Sequence, residues 1–449
     1  MKILLILHTY AADGEFGSFA LQLVEGFANT GAEVHVIKAN DLVDGLGATA
    51  LSSELDKNKI KSYFTRNKFD LVFNTNHAGM GGLIKKYIGQ APVISWLVDR
   101  NPFLHAGKNN NKLFSKTTHV ITSSRANVDN LIYKFNLKED NIHYLPFMTN
   151  PLSFNDKINK SINICFIGSF FVNEKVVSQL LLRNYKNKYY LRVLDALSSL
   201  EDDFDQDDES LVKEIGLCSL LKKQKISPSR FKGAIGNIIS NKKRLDYLSE
   251  VSDLGLHLYG TDNISSLATH SPSLASCFQS SYFVNSRERL CNIYDRSKIG
   301  LNINHHQATT GLSYRVFDIL ASSALLVTNK QRKSDLEYLF GADHPVPIYS
   351  TSRELKTICK HFLQYESERE QLIQECNQLV AEEHTFDQRA IDLIRIAYPK
   401  FAVQTGRSMP VTFIQKNDLV RDDGLMANKR PCYNIKEMIH YAHNLVSRH

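Results

Sequence analysis

Two rhythms of apolar residues run along this chain. Short apolar runs, KILLIL (2–7), FDLVFN (69–74), VISWLV (93–98) and HVITS (119–123), predict buried strands. Between the first two, FALQLVEGFANTG places apolar residues at helical spacing and stops at a glycine, and AEVHVIKA follows as another strand. A second series begins near residue 160. SINICFIGSFF, LGLHLYGT, KIGLNINHH and ALLVTNK read as strands, followed by PVPIYSTSRELKTICKHFL and a helical region containing HTFDQRAIDLIRIAY. Alternating strands and helices predict parallel, doubly wound α/β sheets. The polar stretch NPLSFNDKIN (150–159) reads as a linker between two similar halves with a cleft between them. Ligands of such sheets lie beyond the carboxyl ends of the strands. The loops His8–Ser18, Thr75–Gly82 and Asp99–His105 are therefore the places to look in the first half.

Residues 178–250 break the alternation. They are helix-like, contain the acidic run EDDFDQDDE, and read as a helical insertion. The run reads as solvated surface. It lacks the glycine and terminal glutamate of a calcium loop. The last stretch, 401–449, holds turn signals and then an amphipathic segment, YNIKEMIHYAHNLV, which is expected to pack back on the first domain or to meet a partner.

Composition narrows the class. A chain of 449 residues is too long for one ordinary core, and 43% hydrophobic and 22% charged residues are ordinary for a globular protein. The net charge of +7 suits anionic substrates or an anionic membrane surface. It is not concentrated, and no aromatic-basic module accompanies it, so nucleic acid is not an expected partner. The short basic groups Lys85-Lys86, Lys222–Lys225 and Lys242–Arg244 read as solvated faces or as a peripheral dock for an anionic membrane. The cysteines (Cys165, Cys218, Cys277, Cys291, Cys359, Cys376 and Cys432) form no CxxC pair, which points to free thiols in a reducing compartment. The opening apolar run is shorter than a secretory core segment, and no stretch is long enough to span a bilayer. A cytoplasmic protein is expected, with possible contact at the inner face of the membrane.

The richest chemistry lies in Tyr294–Thr328, YDRSKIGLNINHHQATTGLSYRVFDILASSALLVT, which reads as strand, hydroxyl-rich loop, helix and strand. Backbone amides and Arg315 at a helix start suit a phosphate or diphosphate. Asp318, one turn later, can accept from sugar hydroxyls. Strand–loop–helix units of this kind also occur where no phosphate binds. Adjacent His305 and His306 point to opposite sides of an extended segment, so one at most is expected to face a ligand, and neither has a partner spacing for a metal.

FDLVFNTNHA, SWLVDRNPF, NIHYLPFMTNP, ICFIGSFF, LHLYG, YDRSKIGLNIN, YRVFDILASSALLVT and EEHTFDQRA, in this order, resemble the CgeB-like (spore-maturation-type) group 1 glycosyltransferases. The resemblance runs from about residue 2 to 395. It implies a GT-B fold of two Rossmann-like domains facing across a cleft: 1–150 on the acceptor side, 160–400 binding a nucleotide sugar and carrying the insertion, and 401–449 as an extension. It also implies bacterial polysaccharide biosynthesis, and transfer of a sugar to a glycan, lipid-linked or protein acceptor. No metal or other cofactor is expected, and retention is the favoured stereochemical course. Relatives often bear two glutamates flanking the donor loop. Here the second is Asp318, for the ribose hydroxyls, and the first falls at Thr310, which is not acidic. Gly311, Leu312 and Ser313 match the segment whose amides approach the donor.

The departing diphosphate of a glycosyl transfer needs positive charge and amides around it. Arg315, Gly168 and Ser169 fit that need. Lys175 can add charge or be a solvated lysine. Tyr259 and Gly260 end a strand beside the expected base pocket, where the ring packs near the nucleotide or in the core. His77, in a strand-end loop, reads as a donor-hydroxyl contact or as a structural loop histidine. Asp99 reads as a base or acceptor-binding carboxylate, or as a turn cap. Two further readings stay open: a non-catalytic nucleotide-sugar binder, favoured by Thr310 and by the ASSA at Ala321–Ala324, and a nucleotide-sugar epimerase of the same fold.

Overall fold

The computed structural model describes residues 1–9, 16–43, 51–52, 54–77, 80, 86–98, 114, 117–135, 137–150, 159–169, 188–202, 208–260, 271–280, 284, 286–306, 308–331, 333–403 and 409–419. The chain forms two compact units. The first comprises Met1–Ser123, Asn127–Leu145 and Glu383–His449; the second comprises Ser124–Ala126 and Pro146–Glu382.

The first unit is built on a seven-stranded sheet. Its strands are β1 (Lys2–Leu7), β2 (Glu33–Lys38), β3 (Leu71–Thr75), β4 (Val93–Leu97), β5 (Thr118–Thr122), β6 (Ile142–Tyr144) and, from the far end of the chain, β13 (Val411–Ile414). The order is β13-β2-β1-β3-β4-β5-β6, and every pairing is parallel. Ile3 lies opposite Val34 on one side and Leu71 on the other. β3 and β4 are buried at every position, as a parallel sheet covered on both faces requires, which explains their continuous apolar sequence.

The helix Ser18–Asn29 turns Ala20, Leu23, Val24, Phe27 and Ala28 inward and packs on the helix Phe386–Ala397. Gly26 makes that approach possible: a Cβ there would stand 2.6 Å from the Phe386 carbonyl oxygen. Phe19 stacks edge-on against Phe386 at 5.5 Å and against Trp96 at 6.3 Å. These contacts hold the HTFDQRA segment in the first unit. The division falls at Glu382/Glu383, whereas the strand–helix pattern alone extends the second half to 400. β13 joins the same unit, pairing Val411–Ile414 with Val34–Ile37. The segment YNIKEMIHYAHNLV lies outside the described residues.

The second unit has a six-stranded sheet of β7 (Ile162–Ile167), β8 (Leu256–Tyr259), β9 (Phe278–Ser280), β10 (Ser297–Asn302), β11 (Leu325–Asn329) and β12 (Ile348–Tyr349), in the order β12-β11-β10-β7-β8-β9 and again parallel. Its core unites Ile164, Phe166, Leu258, Ile299, Leu301 and Val327 with helical Leu248, Leu355 and Cys359. A separate helical cluster gathers Val193, Leu200, Leu217, Phe231, Ile235 and Ile239.

One long helix, Pro228–Glu250, serves both cores. It begins with Pro228 behind Ser227, whose Oγ accepts from the Arg230 amide at 3.2 Å. Its first half fills the helical cluster, and Leu248 enters the sheet core. The part of 178–250 nearest the sheet is thus an integral helix of the unit. The six described cysteines are free thiols. Among the described residues no helix is long and apolar enough to cross a membrane.

Candidate functional site

The carboxyl ends of β7, β8 and β10 bring most of the expected residues of the second unit together. Gly168 and Ser169 follow β7, and the Gly168 amide donates to the Tyr259 carbonyl at 2.9 Å. Gly260 has φ +154°, and a Cβ there would overlap the Gly168 carbonyl oxygen. A Cβ on Gly168 would stand 2.7 Å from the Phe166 ring. Both strand-end glycines are therefore demanded by close approach. Tyr259 is half-buried, with its hydroxyl 3.4 Å from His257 Nδ1; burial pushes its phenol upward.

Asn302, fully buried at the end of β10, is a hub that sequence reasoning missed. Its amide nitrogen donates to Asn304 Oδ1 at 2.8 Å and to Thr328 Oγ1 at 3.0 Å. Its Oδ1 accepts from Ser313 Oγ at 3.3 Å and from Arg315 Nη1 at 3.5 Å. The arrangement orients Arg315 at the start of the short helix Tyr314–Leu320. Arg315 Cζ lies 5.7 Å from the Phe166 ring centre.

Asp318, one turn on, is 8% exposed and accepts from Thr149 Oγ1 at 2.9 Å. Burial pushes its carboxyl up to about 6, against the Thr149 hydrogen bond and the charges of Arg287 and Arg315. Tyr294, wholly buried, has a hydroxyl without a hydrogen-bond partner among the described residues, within electrostatic range of Arg315 and Asp318.

The loop before that helix is tied down inside the unit. Thr310 Oγ1 lies 2.9 Å from Ser124 Oγ and accepts from the Ala126 amide at 3.2 Å. The Gly311 amide donates to Ser124 Oγ at 3.2 Å, so this N–H is engaged within the protein. Leu312 is buried. Asp335 accepts from Arg125 Nε at 2.8 Å and gives its own amide to the Thr310 carbonyl at 2.8 Å. Thr310 is therefore the centre of a lock of hydroxyls and backbone amides.

His305 and His306 both turn toward the helix Pro228–Glu250. Their ring centres are 3.9 Å apart; His305 Nε2 meets Asn237 Oδ1 and His306 Nδ1 meets Ser240 Oγ, each at 3.1 Å. The opposed orientation expected of an extended segment does not occur, because Gly236 lets the His306 ring lie against the helix. Burial, then the nearby Arg244 and Arg315, push His305 down to about 3, so it is neutral.

Arg244 corrects a second expectation. Within the block Lys242–Arg244, Lys242 is exposed but Arg244 is 3% exposed. The spacing of Gly236, Ser240 and Arg244, four residues apart on one helical face, was the available signal.

In the first unit, His77 follows β3 and is 2% exposed. Its Nδ1 is 2.8 Å from Ser95 Oγ and its ring centre 4.5 Å from that of Phe114. Asn76 and His77 both have left-handed backbones, φ 52° and 58°. Asn76 bridges to β4: its amide donates to the Trp96 carbonyl and its Oδ1 accepts from the Val98 amide. Consecutive left-handed non-glycine residues store strain of the kind found at functional turns. Asp99 and Lys175 lie outside the described residues.

Residues 248–395 match the family model described as "Glycosyl transferase-like". No curated protein sequence matches the chain. Among solved structures, sucrose-phosphate synthase from Thermosynechococcus elongatus is similar at a TM-score of 0.52 and 9% identity, covering 88% of this chain and 98% of that one. A glycosyltransferase from Rickettsia africae aligns at a TM-score of 0.46 and 12% identity over 89% and 98% of the two chains. The fold is GT-B, with two parallel α/β units of Rossmann type. The match runs from the second unit (248–382) into the first (383–395), and over that stretch the chain is similar to glycosyltransferases.

Proposed function

We propose that the chain transfers a sugar from a nucleotide-sugar donor, held by the second unit, to a glycan, lipid-linked glycan or protein acceptor. The observation that carries this reading is the pairing of Arg315, oriented by Asn302, with Asp318 on the same short helix. A guanidinium suits the donor phosphates, and a carboxylate one turn away suits the ribose hydroxyls. In the reaction, the bond from the sugar's anomeric carbon to the phosphate oxygen breaks. Its electron pair leaves with the diphosphate, whose charge Arg315 opposes. The acceptor oxygen forms the new bond as its proton passes to the departing phosphate oxygen. The chemistry needs no metal if cationic side chains stabilise the leaving group, and a retaining course needs no protein base on the acceptor. The CgeB-like resemblance is the narrower family reading in keeping with this.

The test is a thermal-shift screen of UDP, GDP, dTDP and CMP sugars, since a ligand of the folded state raises the melting temperature. It is followed by product analysis with and without glycan acceptors. A shift with slow donor hydrolysis supports transfer; a folded sample that neither shifts nor turns over any donor overturns it. The Ser124–Thr310 lock favours a second reading, a binder without turnover, which predicts a shift but no product with any acceptor. Lys222, Lys223 and Lys225 are exposed and suit contact with an anionic membrane bearing lipid-linked acceptors. Co-sedimentation with phosphatidylglycerol vesicles, lost at high salt, tests that contact.

A further inference from the structure

We infer that Arg244 is a second donor-binding cation of the proposed site, acting with Arg315 on the outer phosphate of a nucleoside diphosphate. The inference rests on the reading above and names a residue from outside the strand-end loops.

The two guanidinium groups converge on one ring. Arg315 Cζ is 5.7 Å and Arg244 Cζ 5.9 Å from the centre of Phe166, a residue two places before the Gly168 turn. Arg244 donates from Nη1 to the Ser169 carbonyl, which anchors it at the carboxyl end of β7. The helix that carries it is fixed in rotation by three contacts on the same face. His306 lies against Gly236, Asn237 meets His305, and Ser240 meets His306 through both its ring and its amide. Arg244, one turn beyond Ser240, is therefore carried on the helix face turned toward the loop after β10, and its hydrogen bond to Ser169 holds it at the end of β7.

Gly168 lets the Phe166 ring that both cations share lie close against the strand end: a Cβ there would stand 2.7 Å from the ring. Placing two like charges together under cover raises the energy of both, and burial with the Arg315 charge pushes Arg244 down to about 9. A diphosphate, with two anionic groups to set against two cations, relieves more of this cost than a monophosphate does. Arg315 meets both kinds of nucleotide, and the charge of Arg244 rewards the second phosphate.

The test is isothermal titration of the full chain with UDP, UMP, GDP and GMP, comparing the wild type with Arg244→Gln and Arg315→Gln. The wild type is expected to prefer the diphosphate over the monophosphate of its own base. Arg244→Gln is expected to cut that preference by about ten-fold while leaving monophosphate affinity near its original value, and Arg315→Gln is expected to weaken both. Should Arg244→Gln fail to fold, Arg244→Lys keeps a charge without the fork and is expected to reduce the preference to a smaller extent. A preference unchanged in the Arg244 variants, with Arg315→Gln still weakened, overturns the role of Arg244 and leaves the donor site standing. A wild type that binds no nucleotide overturns the donor site itself.

Discussion

Thr149 Oγ1 donates a 2.9 Å hydrogen bond to Asp318 Oδ1, and the pair is buried at the centre of the proposed donor site. One hydrogen bond does not offset the loss of water around the carboxylate, so its pKa rests at about 6. The ionised form is the better acceptor for ribose hydroxyls. Donor affinity is therefore expected to rise with pH through about 6, and Asp318→Asn is expected to flatten that profile. Titrations between pH 5 and 8 check it; an identical slope in the variant removes Asp318 from the donor site.

Stability should run the other way. The folded protein holds the Asp318 proton to higher pH than the unfolded chain does, so this residue's contribution falls as pH rises from about 4 to about 6. The loss is on the order of 3 kcal/mol. Asp318→Asn keeps an oxygen for Thr149 and is expected to raise stability at pH 7, measured by urea unfolding, while weakening donor binding.

The Thr310 lock predicts a steep local penalty. Thr310→Val removes the acceptor of the Ala126 amide and the partner of Ser124, at a cost of about 1–3 kcal/mol. Thr310→Ser keeps both contacts and should cost much less. Chemical denaturation distinguishes them, and equal losses would show that the methyl group contributes as much as the hydroxyl, against a lock held mainly by hydrogen bonds.

Gly26 sets two effects against each other. Alanine gains about 1 kcal/mol of helix propensity. Its Cβ would meet the Phe386 carbonyl at 2.6 Å, a backbone clash that costs about 1–3 kcal/mol to relieve. Gly26→Ala is expected to be destabilising on balance, with a lower denaturation midpoint. A stabilised variant would mean that the helix Phe386–Ala397 shifts freely.

At the phosphate side, Arg315→Ala is expected to weaken UDP or GDP binding more than Lys175→Ala does, by calorimetry on both variants. Equal, negligible effects would remove Arg315 from the phosphate contact.

Much of the fold was legible because parallel strands covered on both faces are continuous apolar runs: KILLIL, VISWLV and the strand at Ser297–Asn302 stand out unaided. The short edge strands β6, β9 and β13 did not, since three or four residues leave no periodicity to read. The strand, loop and helix that carry Gly311, Ser313, Arg315 and Asp318 were legible as elements. Arg244 was not: a basic triplet looks solvated until the helix it rides on is seen to lie against His305 and His306. Asn302 was hidden for another reason. An asparagine at a strand end carries no pattern, and its worth comes from four partners scattered over Asn304, Ser313, Arg315 and Thr328.

The edge strand Val411–Ile414 has a consequence for biosynthesis. A ribosome must deliver over 400 residues before the amino-terminal sheet acquires its last member. The second unit has all its parts by Glu382, before that strand is made. Vectorial synthesis thus reverses the order of completion: β2, made early, waits for its outer partner until after the second unit has emerged.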